Sequence, residues 1–186
     1  NRNNSPNLVT DNQLFDNKFF PESTLNFAEN LLTNEESDTP AIMFQSEDGR
    51  KRELSWDDLR ALVSRFQSAL ISSGIGPGDR VAVWLPNIPE TYAIMLAASS
   101  IGAVFSSTSP DFGVDGVLDR FGQIEPKILF ATDNYFYAGI RYDVTDKLTE
   151  VANQLTSVQQ IVVISNSDDE NLQESIPKKA ITLKDF

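Results

Sequence analysis

The sequence predicts an α/β protein: a mixed, largely parallel sheet flanked by helices. Three observations carry this reading. From about residue 75 onward, apolar runs of strand length alternate with segments of helical periodicity. Strand–helix–strand repeats of that kind build parallel sheets with helices above and below. The runs Val81-Ala82-Val83-Trp84 and Ile161-Val162-Val163-Ile164 are apolar at every position, as strands covered on both faces are. The stretch from Ser99 to Lys127 holds a helix end, a strand, a turn-rich loop and a second helix, one complete unit of such a sheet.

Composition and charge exclude several classes of function. The chain has 186 residues, 40% hydrophobic and 23% charged, which suits one globular domain with an ordinary core. Its formal net charge is −12. A nucleic-acid binder must neutralise phosphates with clustered Lys and Arg. The one dense basic run, Arg50-Lys51-Arg52, is flanked by Asp48 and Glu53 and reads as a solvated turn or strand edge. Nucleic acid is therefore not an expected partner. Cys and His are both absent, which removes disulfides, thiolate nucleophiles, Cys-ligated zinc and any Ser-His-Asp triad within the chain. No run approaches the ~20 apolar residues of a membrane span. The opening NRNNSPNLVT lacks the apolar centre of a signal peptide. No membrane partner is expected, and the expected location is cytoplasmic.

Taken in order, residues 1–18 read as an extended arm. Phe19 to Leu32 begins with aromatics and a Pro, then turns helical, with Leu25, Ala28 or Glu29, and Leu32 at helical spacing. The arm is expected to lay Phe19, Phe20 and Leu25 on the domain surface. Residues 33–40 form a polar linker, so 1–40 is arm and linker and 41–186 the α/β part. Ala41 to Gln45 is a strand, Asp48-Gly49 a tight turn and Arg52 to Leu54 the return strand. Ser55 caps the next helix, and Asp58 three residues on completes a capping box. Trp56, Leu59, Leu62, Val63, Phe66, Ala69 and Leu70 form its apolar stripe, and Gly74 ends it. Gly74-Ile75-Gly76-Pro77-Gly78 follows a helix and precedes a strand, the reverse of a dinucleotide-binding loop, and Pro77 has no N–H to offer. It reads as a helix stop and turn. After the strand Val81–Trp84, Pro89 and Glu90 suit the first turn of a helix. The small apolar residues from Tyr92 to Ile101 predict that this helix is buried almost all round.

Gly102 supplies the next helix stop. Ala103, Val104 and Phe105 read as a short buried strand, and Ser106 to Gly113 as a turn-rich loop. Val117, Leu118, Phe121 and Ile124 make one face of the following helix, which Pro126 breaks. Ile128 to Ala131 is a strand. Thr132 to Tyr142 reads as a loop whose aromatics, Tyr135, Phe136, Tyr137 and Tyr142, either lid the core or meet a ligand. Val144, Leu148, Val151 and Leu155 share a helical face. Ile161 to Ile164 is a buried strand, Asn166 to Ser175 an acidic loop, and Ile181 to Phe186 begins a further strand or turn. Loops at strand ends of such sheets are where ligands bind.

The run SSTSPDFGVDGVLDRFGQIEPK, beginning at Ser106, resembles the acetoacetyl-CoA synthetases, a branch of the acyl-adenylate-forming enzymes. Leu54-Ser55-Trp56-Asp57-Asp58-Leu59, the segment GDRVAVWLPNIPE and the lead-in from Phe19 to Leu32 carry the same resemblance. It runs from about Phe19 to the end of the chain but covers only the first part of the family's length. It implies the N-terminal part of the large domain of an ATP-dependent acid–thiol ligase. In that reaction acetoacetate attacks ATP to give an acyl-adenylate and pyrophosphate, and CoA then displaces AMP as the thioester. Acetoacetate, ATP and CoA are the implied substrates, and Mg²⁺ accompanies ATP.

The family's Ser/Thr/Gly-rich phosphate loop, ribose-holding Asp and mobile Lys have no match in this sequence. The chain is therefore expected to be an N-terminal fragment without catalytic residues or metal ligands, inactive alone, holding no cofactor tightly and prone to self-association. The resemblance matches Phe105, Ser106 and Ser107 to the segment beside the adenine nucleotide of CoA. It matches Tyr137 and Arg141 to the segment whose basic residues meet the CoA phosphates. Family members often carry a Lys directly after the Gly, where this chain has Ile140. Acetyl-CoA synthetase-like ligases are the nearest alternative. A stand-alone binding domain, using its acidic surface and aromatic loop for a protein partner, is the alternative of another class.

Overall fold

A computed structural model of the chain describes residues 8–9, 18–19, 21, 23–33, 39–166 and 176–186. Most of the expected arm, Phe20, the centre of the 33–40 linker and residues 167–175 of the acidic loop lie outside the described residues. Two short strands, β1 (Leu8–Val9) and β2 (Lys18–Phe19), pair antiparallel. Phe19 and Leu25 are 70% and 74% exposed, so neither is laid against the domain as expected. The residue that anchors this region is Ala28, fully buried on helix α1 (Phe27–Leu32). Asn26 caps that helix by accepting from the Glu29 N–H, while its own amide donates to the Ser100 carbonyl at 2.9 Å.

Strands β3 (Ile42–Gln45) and β4 (Lys51–Leu54) form the expected hairpin. Helix α2 (Trp56–Ser72) begins with the Ser55–Asp58 capping box and buries Leu59, Val63, Phe66 and Leu70. Then come β5 (Arg80–Trp84), α3 (Pro89–Ser100), β6 (Val104–Thr108), α4 (Val114–Gly122) and β7 (Ile128–Thr132). The chain continues through β8 (Asn134–Tyr137), β9 (Ile140–Asp143), α5 (Thr145–Gln154), β10 (Gln160–Ile164) and β11 (Ala180–Thr182).

Five strands form one sheet in the order β11-β10-β7-β5-β6, and every neighbouring pair in it is parallel. Antiparallel pairing among the described residues is confined to two-stranded ribbons. The period of two along each strand divides the core. Val81, Val83, Phe130 and Val162 face the side of α2 and α3, where they meet Phe66 and Ile94. Ala82, Trp84, Leu129 and Val163 face α4 and α5, where they meet Phe121 and Leu148. This double covering explains strands that are apolar at every position.

Three expectations are corrected. Strand β6 runs on through Ser106, Ser107 and Thr108, which the sequence places in a loop; each pairs with β5. Ladder pairing with a neighbouring strand outweighs the local turn tendency of these hydroxyl residues. The same strand is not buried, because it ends the sheet and leaves Val104 48% exposed. Residues 134–143 form the hairpin β8–β9 and not a loop. Its turn is Ala138-Gly139, with φ of 52° and 75°, the left-handed pair that two-residue hairpins need. Helix α3 is buried almost all round as expected, with Tyr92, 47% exposed, as its one outward residue.

Candidate functional site

The strand order creates a topological switch point. From β5 the chain crosses by α3 to β6 on one side. From β7 it passes to β10 on the other, and β5 and β7 are neighbours. In open α/β sheets the crevice at the carboxyl ends of two such strands is the ligand position. Apart from Glu90, every buried polar or charged side chain among the described residues belongs to this rim: Thr108, Thr132, Asp133 and Asn134. Polar groups are costly to bury unless they are bonded or used.

Several contacts shape the rim. Trp84 Nε1 at the end of β5 donates to the Ser109 carbonyl at 3.0 Å, which fixes the loop after β6. The Arg120 guanidinium of α4 lies 4.5 Å from the centre of the ring of Phe112 in that loop. Gly116 lets the ring approach, since a Cβ there would stand 3.1 Å from Phe112 Cδ1. The Asp133 carboxylate accepts from the Asn166 N–H and from the Ser165 hydroxyl, each at 2.9 Å. Its carbonyl accepts from the Val144 N–H at 2.9 Å and closes the base of the β8–β9 hairpin. At the tip, the Gly139 N–H donates to Glu47 Oε2 at 2.9 Å. Burial pushes the Tyr135 phenol above its usual range, with Asp111 and Tyr142 adding to the effect. It is thus a neutral hydrogen-bonding group near pH 7.

The residues singled out from the sequence fall on two elements. Phe105, Ser106 and Ser107 lie in register with Val81, Ala82 and Val83. Parallel partners share a face, so Phe105 and Ser107 look toward α2 and α3, and Ser106 toward α4 and α5. Phe105 packs half-buried against the α2–α3 core. Tyr137 and Arg141 lie on the hairpin, where Tyr137 pairs with Ile140 and Phe136 with Arg141. Alternation then puts Tyr137 and Arg141 on opposite faces of the ribbon. Tyr137, Ile140 and the stacked rings of Tyr135 and Tyr142, 5.3 Å apart, share one face. The structure does not bring Arg141 to that face. The sequence reading passed over Asp133 and Glu47. A carboxylate two residues after the apolar run Ile128–Ala131 was the available signal for Asp133.

An open cleft of about 1300 Å³ also runs along α2, lined by Arg52, Arg65, Phe66, Leu183 and Phe186. The Arg52–Glu90 ion pair, 2.8 Å, stands in its wall. Among the described residues no group of three or more His, Cys, Asp or Glu side chains is placed to hold a metal ion. No chemical step here runs through the Mg²⁺ that the resemblance implies.

Comparison with known proteins defines the class. The family described as "AMP-binding enzyme" matches residues 29–184, and the chain belongs to that family. It is 49% identical over 179 residues to the acetoacetyl-coenzyme A synthetase of Rhizobium meliloti (strain 1021), covering 96% of this chain and 27% of that protein. It is 43% identical over 149 residues to the acetoacetyl-CoA synthetase of Mus musculus, covering 79% of this chain and 22% of that protein. The solved acetoacetyl-CoA synthetase from Streptomyces lividans superposes with a TM-score of 0.82 at 34% identity, over 91% of this chain and 26% of that one. The chain thus spans about a quarter of the length of the relatives it matches. The fold and family implied by the resemblance agree with these matches.

Proposed function

We propose that this chain forms part of an acid–thiol ligase that converts acetoacetate, ATP and CoA to acetoacetyl-CoA, AMP and pyrophosphate through an acyl-adenylate. The observation that carries it is the 49% identity to an acetoacetyl-CoA synthetase over 96% of this chain. Mg²⁺ with ATP and a cytoplasmic location belong to the same proposal. Among the described residues no helix is long and apolar enough to cross a membrane. Self-association also belongs to it, supported by the exposed Leu25, Phe27 and Met43. Concentration-dependent elution in size-exclusion chromatography tests that part.

Within this reading the switch-point rim and the β8–β9 hairpin take the nucleotide end of CoA, with Phe105, Ser106, Ser107, Tyr137 and Arg141 as its contacts. The exposed face bearing Tyr137 and Ile140 supports a planar base, and Arg141 offers charge to a phosphate. One charge-assisted bond of about 1.5–3 kcal/mol gives only weak, roughly millimolar, binding by the isolated chain. NMR titration of the chain with CoA and with dephospho-CoA is the test. Shifts at Phe105–Ser107 and Tyr137–Arg141, weaker without the 3′-phosphate, are expected. Identical responses to the two ligands would remove Arg141 as the phosphate partner, and shifts confined elsewhere would remove the site. In the natural gene product, acetoacetate should support ATP–pyrophosphate exchange better than acetate. The reverse preference would move the protein to the acetyl-CoA synthetases.

A further inference from the structure

We propose that Asp133 is the positioning residue of this site: its carboxylate ties the β8–β9 hairpin to the end of β10, so that the hairpin meets its ligand in one orientation. The inference rests on the CoA reading above. Asp133 is 3% exposed, and its two oxygens serve different neighbours. Oδ1 accepts from the Asn166 N–H and Oδ2 from the Ser165 hydroxyl, both at 2.9 Å. Both donors lie just past the end of β10, the strand that pairs with β7. The main-chain carbonyl of Asp133 closes the ribbon on Val144. One residue therefore sets both the closure of the hairpin base and its angle to the sheet.

A second tether runs to the same place. Arg50 Nη2 donates to Asn166 Oδ1 at 2.9 Å, and Glu47, three residues before Arg50, holds the Gly139 N–H at the hairpin tip at 2.9 Å. The turn between β3 and β4 thus touches the β10 end and the hairpin tip, and Asp133 completes the loop of contacts at the base. Tyr137 and Ile140 remain 64% and 57% exposed at the free end of this braced ribbon. A buried carboxylate bonded to donors from another strand holds a fixed geometry, because each lost partner leaves an unsatisfied polar group. In this proposal Asp133 acts through the hairpin and not on the ligand.

The test compares the full 186-residue chain with its Asp133→Asn and Ser165→Ala variants. Asparagine keeps the shape but turns one acceptor into a donor facing the donors of residues 165 and 166. Two readouts are taken by NMR: the initial slope of CoA-induced shifts, and amide hydrogen exchange. In Asp133→Asn, CoA affinity should fall at least about fivefold, and exchange at Tyr135–Tyr142 should quicken about tenfold. Amides of β5 and of residues 128–131 should keep their shifts and protection. Ser165→Ala, which removes a single donor from outside the hairpin, should move both readouts the same way by less. It also carries the test if Asp133→Asn does not fold. Unchanged CoA affinity in a folded variant, beside a wild-type chain that binds, overturns the role of Asp133 alone. Loss of affinity with core and hairpin exchange accelerated equally assigns Asp133 to general stability and overturns it too. A wild-type chain that shows no CoA response removes the CoA reading and this inference with it.

Discussion

Lys127 Nζ lies 2.6 Å from Asp79 Oδ1, which joins the turn before β5 to the residue before β7. Beside it, Arg80 Nε and Nη2 donate to the carbonyls of Ile124 and Glu125 at 2.6 and 2.7 Å. The amino-terminal ends of the two central strands are fastened by these contacts. Their carboxyl-terminal ends carry the rim and its loops.

Acid should loosen this end first. The Lys127 bond, then the Gly76 N–H, holds the Asp79 carboxyl below the usual carboxylate range. A folded-state value below the unfolded one gives stability that is present above the unfolded value and lost as pH falls through the folded one. The Asp58 carboxyl, held down by Ser55, acts in the same window. Tm should therefore fall below about pH 4, and Asp79→Asn should flatten that fall. Parallel acid limbs for variant and wild type would show that Asp79 is not involved.

Ser55→Ala removes the oxygen that accepts from the Asp58 N–H at 3.1 Å. Loss of such a cap costs about 1 kcal/mol, and Ser55→Thr should restore most of it. Urea denaturation of the three proteins, read at constant m, measures the difference.

Phe130 is fully buried in the central strand, with the rings of Phe66 and Phe186 edge-on at 5.9 and 5.3 Å. Phe130→Ala should cost about 3–5 kcal/mol, and Phe130→Leu, which keeps most of the volume, clearly less. Calorimetry that found the two variants equal would mean the site collapses around the deletion.

The hairpin turn gives opposite signs at adjacent positions. Ala138 sits at φ 52°, where a Cβ costs about 1–2 kcal/mol. Ala138→Gly relieves that strain, against about 0.4–1 kcal/mol of added unfolded-chain entropy, and should be neutral to mildly stabilising. Gly139→Ala, at φ 75°, should destabilise by about 1 kcal/mol. Local exchange rates across β8–β9 report both.

Most of the scaffold was legible in the sequence because its signals are local. The Ser55–Asp58 box, the all-apolar strands and the stripe on α2 need no distant partner to be read. What was missed depends on pairing. Ser106 to Thr108 look like a loop until β5 lies beside them. Tyr135, Phe136 and Tyr137 have the β-propensity of a strand, but Ala138 in a turn position that usually takes Asn or Gly hid the hairpin. The opposite facing of Tyr137 and Arg141 follows from register alone, and the role of Asp133 from donors 32 and 33 residues away in sequence.

The sheet order β11-β10-β7-β5-β6 can be laid down as the chain leaves the ribosome. β5 emerges first and β6 joins it across one helix; β7 then takes the other edge of β5, β10 the edge of β7, and β11 the edge of β10. No strand has to be threaded between two that are already paired. At each stage the newest strand shows an unfilled edge to the cell, and of these strands β7 alone is buried at all five positions once folding is complete. The interval between synthesis of β7 and of β10 is thus when the nascent chain is most open to aggregation and to chaperones.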